Sequence, residues 1–156
     1  MFTFLKRFAR DRSPRGLALT ALEVGAWDDA DARFTALLAG TDAAGRAFAL
    51  NKRGIARLHA GRRDEALADF REALAEVADY PPALTNLGNV LLEDGATDDA
   101  IAHYEAAIRS DDDYAVAHQN LGIALKRDGR VAEGVRELRR AARLEGGLFG
   151  RQRKKR

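Results

Sequence analysis

Cysteine is absent from the 156-residue chain, which excludes disulfides, thiolate metal ligands and a cysteine nucleophile together. Only three prolines occur and β-branched residues are few, so little interrupts helices or favours strands. No apolar run approaches the roughly 20 residues that a membrane-spanning helix needs. Lys6 and Arg7 break the apolar opening too early for a cleaved secretory signal, so a cytoplasmic location, at most peripheral to a membrane, is expected. What remains is rich in alanine, leucine, arginine and acidic residues, 46% apolar and 32% charged, as in ordinary globular proteins. One all-α folded unit follows as the expectation.

The net charge of +2 is unevenly spread. Residues 1–16 contribute +4 and residues 139–156 contribute +7; taking both from +2 leaves −9 for residues 17–138. The body is acidic and both ends are basic.

Small residues return every 34 positions, at Gly54, Gly88 and Gly122, at Gly61, Gly95 and Gly129, at Ala66, Ala100 and Gly134, and at Ala73, Ala107 and Ala141. Phe70, Tyr104 and Leu138 keep the same step. The spacing predicts two helices per repeat. The first begins near Ala47, Pro81 or Ala115 and breaks at Gly61, Gly95 or Gly129, where glycine most easily turns left-handed. Asp64 and Asp98 or Asp99 suit the start of the second helix, through its dipole and as caps. Gly54, Gly88 and Gly122 let a partner helix approach, with Ala66, Ala100 and Gly134 opposite them in the crossing.

These columns resemble the tetratricopeptide repeat, whose best copy here reads Leu84, Leu87-Gly88, Gly95, Ala100, Tyr104 and Ala107. The likeness covers 47–80, 81–114 and 115–148 as three repeats. Gly25, Trp27, Asp28, Asp29, Ala30, Phe34 and Leu38 repeat the second half of the unit, which marks a degenerate repeat over 11–46 with a first helix after Pro14. Arg53 and His118 depart from the pattern by replacing large apolar residues, and Gly134 by replacing alanine. The resemblance implies about eight helices stacked as antiparallel pairs in a right-handed α-solenoid, with the first helix of each pair lining a concave face.

Carried onto that face, the resemblance makes a column of Lys52, Asn86 and Asn120, a second of Asn51, Thr85 and Gln119, and a third of Ile55, Asn89 and Ile123, with Lys126, Arg127 and His59 extending it. Asparagine both donates and accepts, so such a ladder suits the backbone of a bound peptide or helix. The alternative use of Asn86 and Asn120 is to satisfy neighbouring backbone. A chaperone-type carboxylate clamp needs lysine and asparagine four apart, and the corresponding places hold Asn51 and Ile55, which disfavours that role.

Outside the repeats, residues 1–10 set Phe2, Phe4, Leu5 and Phe8 among Lys6, Arg7 and Arg10, an amphipathic pattern. It suits capping of the first repeat, docking to a partner or larger complex, or contact with an anionic membrane. At the other end Val131, Val135, Leu138 and Ala142 have no following helix to cover them. Leu148 and Phe149 or a second subunit are the candidate covers, and 149–156 reads as a basic, unstructured tail.

Nothing points to catalysis, a cofactor or a metal. His59, His103 and His118 fall at different repeat offsets, and Asp111, Asp112 and Asp113 lack the glycine and distal glutamate of a calcium loop. No Walker loop or nucleophile elbow occurs. The expectation is a non-catalytic adaptor or assembly factor, its rival a structural subunit anchored through the basic termini. Nucleic-acid binding ranks third, because the body is acidic.

Overall fold

The structure is a computed structural model and describes residues 11–153, with side chains as far as residue 146. Among them are eight helices and no strand: α1 (Pro14–Glu23), α2 (Trp27–Leu37), α3 (Ala43–His59), α4 (Arg63–Glu76), α5 (Pro81–Glu93), α6 (Thr97–Ser110), α7 (Ala115–Arg127) and α8 (Val131–Arg153). They form four hairpins. The hairpins divide between two compact units, Met1–Ala78 with α1 to α4 and Asp79–Arg156 with α5 to α8, where composition alone suggested one. Repeat hairpins touch only their neighbours, so no single core has to tie all the helices together.

Sequence explains the helix ends. Ser13 caps α1 by accepting from the Gly16 amide at 3.0 Å, with Pro14 in the first turn. Gly61, Gly95 and Gly129 turn the chain between paired helices at φ values of +78°, +82° and +86°.

Three expectations about ends are corrected. Helix α3 starts at Ala43, ahead of Ala47, because Asp42 accepts from the Gly45 amide at 2.8 Å and fixes the start there. Asp64, Asp98 and Asp99 lie in the first turns of α4 and α6 but cap nothing. The cap positions belong to Arg62 and Ala96, so the acids act only through the dipole. Helix α8 runs to Arg153, through five of the eight residues 149–156 expected as an unstructured tail. Glycine inside a growing helix costs only about 1 kcal/mol, too little to end it without a left-handed turn.

In the first unit α1 packs on α2, α2 on α3, and α3 on α4. In the second, α5 packs on α6, α6 on α7, and α7 on α8, with a smaller contact between α5 and α7. The core is rich in alanines packed among larger residues, of which Phe34, Phe70 and Tyr104 are fully buried. Burying each such ring contributes roughly 2–3 kcal/mol.

The small residues face those rings. A Cβ on Gly54 would lie 2.5 Å from Phe70, one on Gly88 2.6 Å from Tyr104, and one on Gly122 2.7 Å from Leu138. Ala66 and Ala100 were expected opposite the glycines, yet in the α3–α4 and α5–α6 hairpins the nearest group is the ring. In the last hairpin the expected partner, Gly134, is among the nearest groups, its carbonyl oxygen 2.8 Å from the added Cβ.

Candidate functional site

In the second unit the glycine contact places a polar group. With its ring seated on Gly88, Tyr104 extends its hydroxyl past that residue and donates to Asn89 Oδ1 at 2.8 Å. Asn120 Nδ2, from α7, donates to the same oxygen at 2.8 Å. One carbonyl oxygen thus takes two donors and ties the three helices at a point. Among the described residues, the Asn89 Nδ2 donor and the Asn120 Oδ1 acceptor receive no bond from the chain. Turning both amides over leaves the same count of one donor and one acceptor.

Asn89, Tyr104 and Asn120 line a cavity of about 310 Å³ together with Leu92, Glu93, Ile123 and Arg127. Its walls are apolar at Leu92 and Ile123, and Glu93 and Arg127 bring opposite charges to it. Burial pushes the Tyr104 phenol up to about 12; Arg127 opposes this and Glu93 adds to it. Tyr104 therefore stays neutral at physiological pH and keeps its hydrogen for Asn89.

The other sequence-derived candidates are scattered. Asn86 is half-buried on α5, and Gln119 and Lys126 are exposed on α7 but do not line the cavity. Asn120 bonds to Asn89, which lies nearly one helical turn along α5 from Asn86, the residue of its own repeat column. Asn51 is corrected from groove to interior: it is 2% exposed, as is Thr85 one repeat later, because this column faces inward on α3 and α5. Lys52 is half-buried in the first unit. Phe2, Phe4, Leu5 and Phe8 lie outside the described residues.

Arg53, which breaks the leucine column, anchors a buried ion network in the first unit. Its Nη2 and Nε meet the two oxygens of Asp69 at 2.6 and 3.0 Å, and Nη1 donates to Thr35 at 3.2 Å. Arg57 bridges Asp69 at 3.0 Å and Asp31 at 3.3 Å, and Arg62 reaches Asp31 at 2.8 Å. Burial opposes the Arg53 charge, but the bond and charge of Asp69, helped by Asp31 and Glu72, outweigh it and raise its pKa. The readable signal was the offset: Arg53 and Asp69 are 16 apart, like each glycine and the residue seated on it.

His118 is buried as a substitute for an apolar residue, with Nδ1 2.6 Å from Glu137 Oε2 and Nε2 3.0 Å from the Asp112 carbonyl. His59 is exposed and stacks on Trp27 at 4.5 Å. Among the described residues, no cluster of His, Cys, Asp or Glu is arranged to hold a metal ion, and no helix is long and apolar enough to cross a membrane.

The model of the tetratricopeptide repeat family matches residues 51–115 and 85–148. No curated protein matches the chain. Among solved structures, a crystal structure of MamA is 24% identical with a TM-score of 0.68, covering 91% of this chain and 84% of that one. MamA 41-end from Desulfovibrio magneticus RS-1 is 22% identical with a TM-score of 0.64, covering 85% and 74%. YrrB, described as a TPR protein with an unusual peptide-binding site, is 19% identical with a TM-score of 0.62, covering 92% and 73%. Because the repeat model covers residues 51–148, well over half of the sequence, and these folds agree with it, the chain belongs to the tetratricopeptide repeat family.

Proposed function

We propose that the chain is a non-catalytic protein-binding module, an adaptor or assembly factor, and that the cavity between α5, α6 and α7 holds a peptide or helical segment of a protein partner. The observation that carries this reading is the Asn89–Asn120 pair. It presents one amide donor and one amide acceptor between the apolar Leu92 and Ile123, which is the chemistry of a polypeptide main chain with an apolar side chain. The pair is already positioned by Tyr104, so little ordering entropy is lost on binding. The description of YrrB as having a peptide-binding site supports the same use of this fold.

The test is affinity purification with mass spectrometry to identify a partner, followed by titration of its binding segment. Asn120→Ala should weaken binding about tenfold, the loss of one or two buried hydrogen bonds, while circular dichroism stays helical. Unchanged affinity would remove the cavity from the account. Anchoring through the basic termini is the competing reading: binding lost on deleting residues 1–10 but kept in Asn120→Ala would favour it.

A further inference from the structure

We infer that His118 is a proton-operated latch: with a hydrogen on each ring nitrogen it fastens α8 to the turn between α6 and α7, and on losing one of them it releases one side. The inference goes beyond the protein-binding reading and needs no ligand in the cavity.

The contacts themselves ask for two hydrogens. His118 is buried on α7, with Nδ1 2.6 Å from Glu137 Oε2 on α8 and Nε2 3.0 Å from the Asp112 carbonyl in the turn. A backbone carbonyl and an ionised carboxylate both only accept. A neutral imidazole has one N–H, so one of the two contacts would set a lone pair against an acceptor. The imidazolium satisfies both at once. One repeat earlier the same place holds the buried Leu84, which titrates nothing, so the device belongs to this chain and not to the 34-residue spacing.

Taking an imidazolium out of water is costly, and the Glu137 carboxylate at bonding distance offsets that cost. The other charged and titratable groups nearby leave this role to Glu137. Arg140 of α8 reaches the Asp112 carbonyl at 3.5 Å and pairs with Asp113 at 3.1 Å, so it holds the same turn. On α6, Asp98, Asp99, Glu105 and Arg109 are exposed, and His103 turns its Nδ1 to the Asp99 carbonyl. Glu93, the charged residue of α5, lines the cavity, and Lys126 and Arg127 stand about two turns away on α7. Tyr114, just before α7, keeps its proton because burial, then Tyr80 and Asp111, raise its pKa.

The fold therefore holds one proton more at this site than an ionised carboxylate and a neutral imidazole carry between them. The hold on α8 is complete at mildly acid pH and weakens as pH rises and that proton leaves. Arg140 still ties α8 to the turn, so the change is a local loosening and not global unfolding.

The experiment uses the full chain labelled with 15N: NMR of the His118 ring nitrogens, and amide hydrogen exchange from about pH 6 to about pH 9, corrected for intrinsic rates. At the lower pH both ring nitrogens should carry hydrogen, and one bare nitrogen there would overturn the inference. Amides of α8 should exchange about tenfold faster at the upper pH, the loss of one charge-assisted contact. Glu137→Gln is the decisive variant. Its side-chain amide can donate to Nδ1 while the Nε2 hydrogen meets Asp112, so a neutral ring satisfies both contacts and α8 should exchange equally at both ends of the range. His118→Leu should abolish the pH step as well; if that variant does not fold, Glu137→Gln decides alone. A pH step of the same size in wild type and Glu137→Gln, or none in wild type, would contradict the latch.

Discussion

The ring of Tyr104 lies so close to Gly88 that a methyl group there would come within 2.6 Å of it, and this contact delivers the Tyr104 hydroxyl to Asn89 on the next position of α5. Packing and polar site are one arrangement. The same residue that fills the hairpin core orients the amide pair that faces the cavity.

Gly88→Ala should therefore destabilise the protein by about 1–3 kcal/mol, since overpacking against a fully buried ring outweighs the gain in helix propensity of about 1 kcal/mol. Gly146→Ala is the control: nothing lies within 4 Å of its added Cβ, and it should stabilise α8 by up to about 1 kcal/mol. Chemical denaturation of both variants reads the sign directly.

Stability at high pH should depend on Tyr104. Its phenol ionises near 12 in the fold, mainly because of burial, and near 10 in the unfolded chain. The folded state holds the proton longer, so this contribution is intact below pH 10 and is lost as pH rises toward 12. Tyr114, raised by burial and then by Tyr80 and Asp111, adds a loss of the same sign. Urea midpoints measured across this window should fall less steeply in Tyr104→Phe than in the wild type.

Removing Asp69 alone should be severe. Asp69→Ala strips Arg53 of its counter-ion and Arg57 of one of its partners in a site where Asp69 is 1% exposed, and a loss of about 3–5 kcal/mol is expected. Arg53→Leu leaves Asp69 paired with Arg57 and should cost less; thermal denaturation of the two variants side by side checks the order.

Thr85 offers a stabilising change. Its Oγ1 is buried without a hydrogen-bond partner, so Thr85→Val, which keeps the shape and removes the hydroxyl, should raise stability by roughly 1 kcal/mol, read as a higher melting temperature.

Much of the fold was legible because the 34-residue return of glycine and alanine is a steric requirement of nested hairpins, and steric requirements are written in residue size. Helix ends were harder to read: Asp42 overrides the start inferred at Ala47, and α8 continues through Gly146 into the stretch expected as an unstructured tail. The candidate site was half legible. Asn89, Asn120 and Arg127 were named from repeat position, but repeat position gave no sign of the bond between Asn120 and Asn89 and turned Asn51 outward. Which side chains meet across two helices depends on their inclination, which a repeat count does not contain. Arg53 read as a flaw in the leucine column because its compensation, Asp69, lies on the next helix.

The most direct test of the central claim is NMR chemical-shift mapping of the isotope-labelled chain with its bound partner segment. The side-chain amides of Asn89 and Asn120 and the guanidinium of Arg127 should show the largest perturbations in the second unit. Perturbations confined to α6 and α8, with both asparagine side chains unmoved, would contradict the claim.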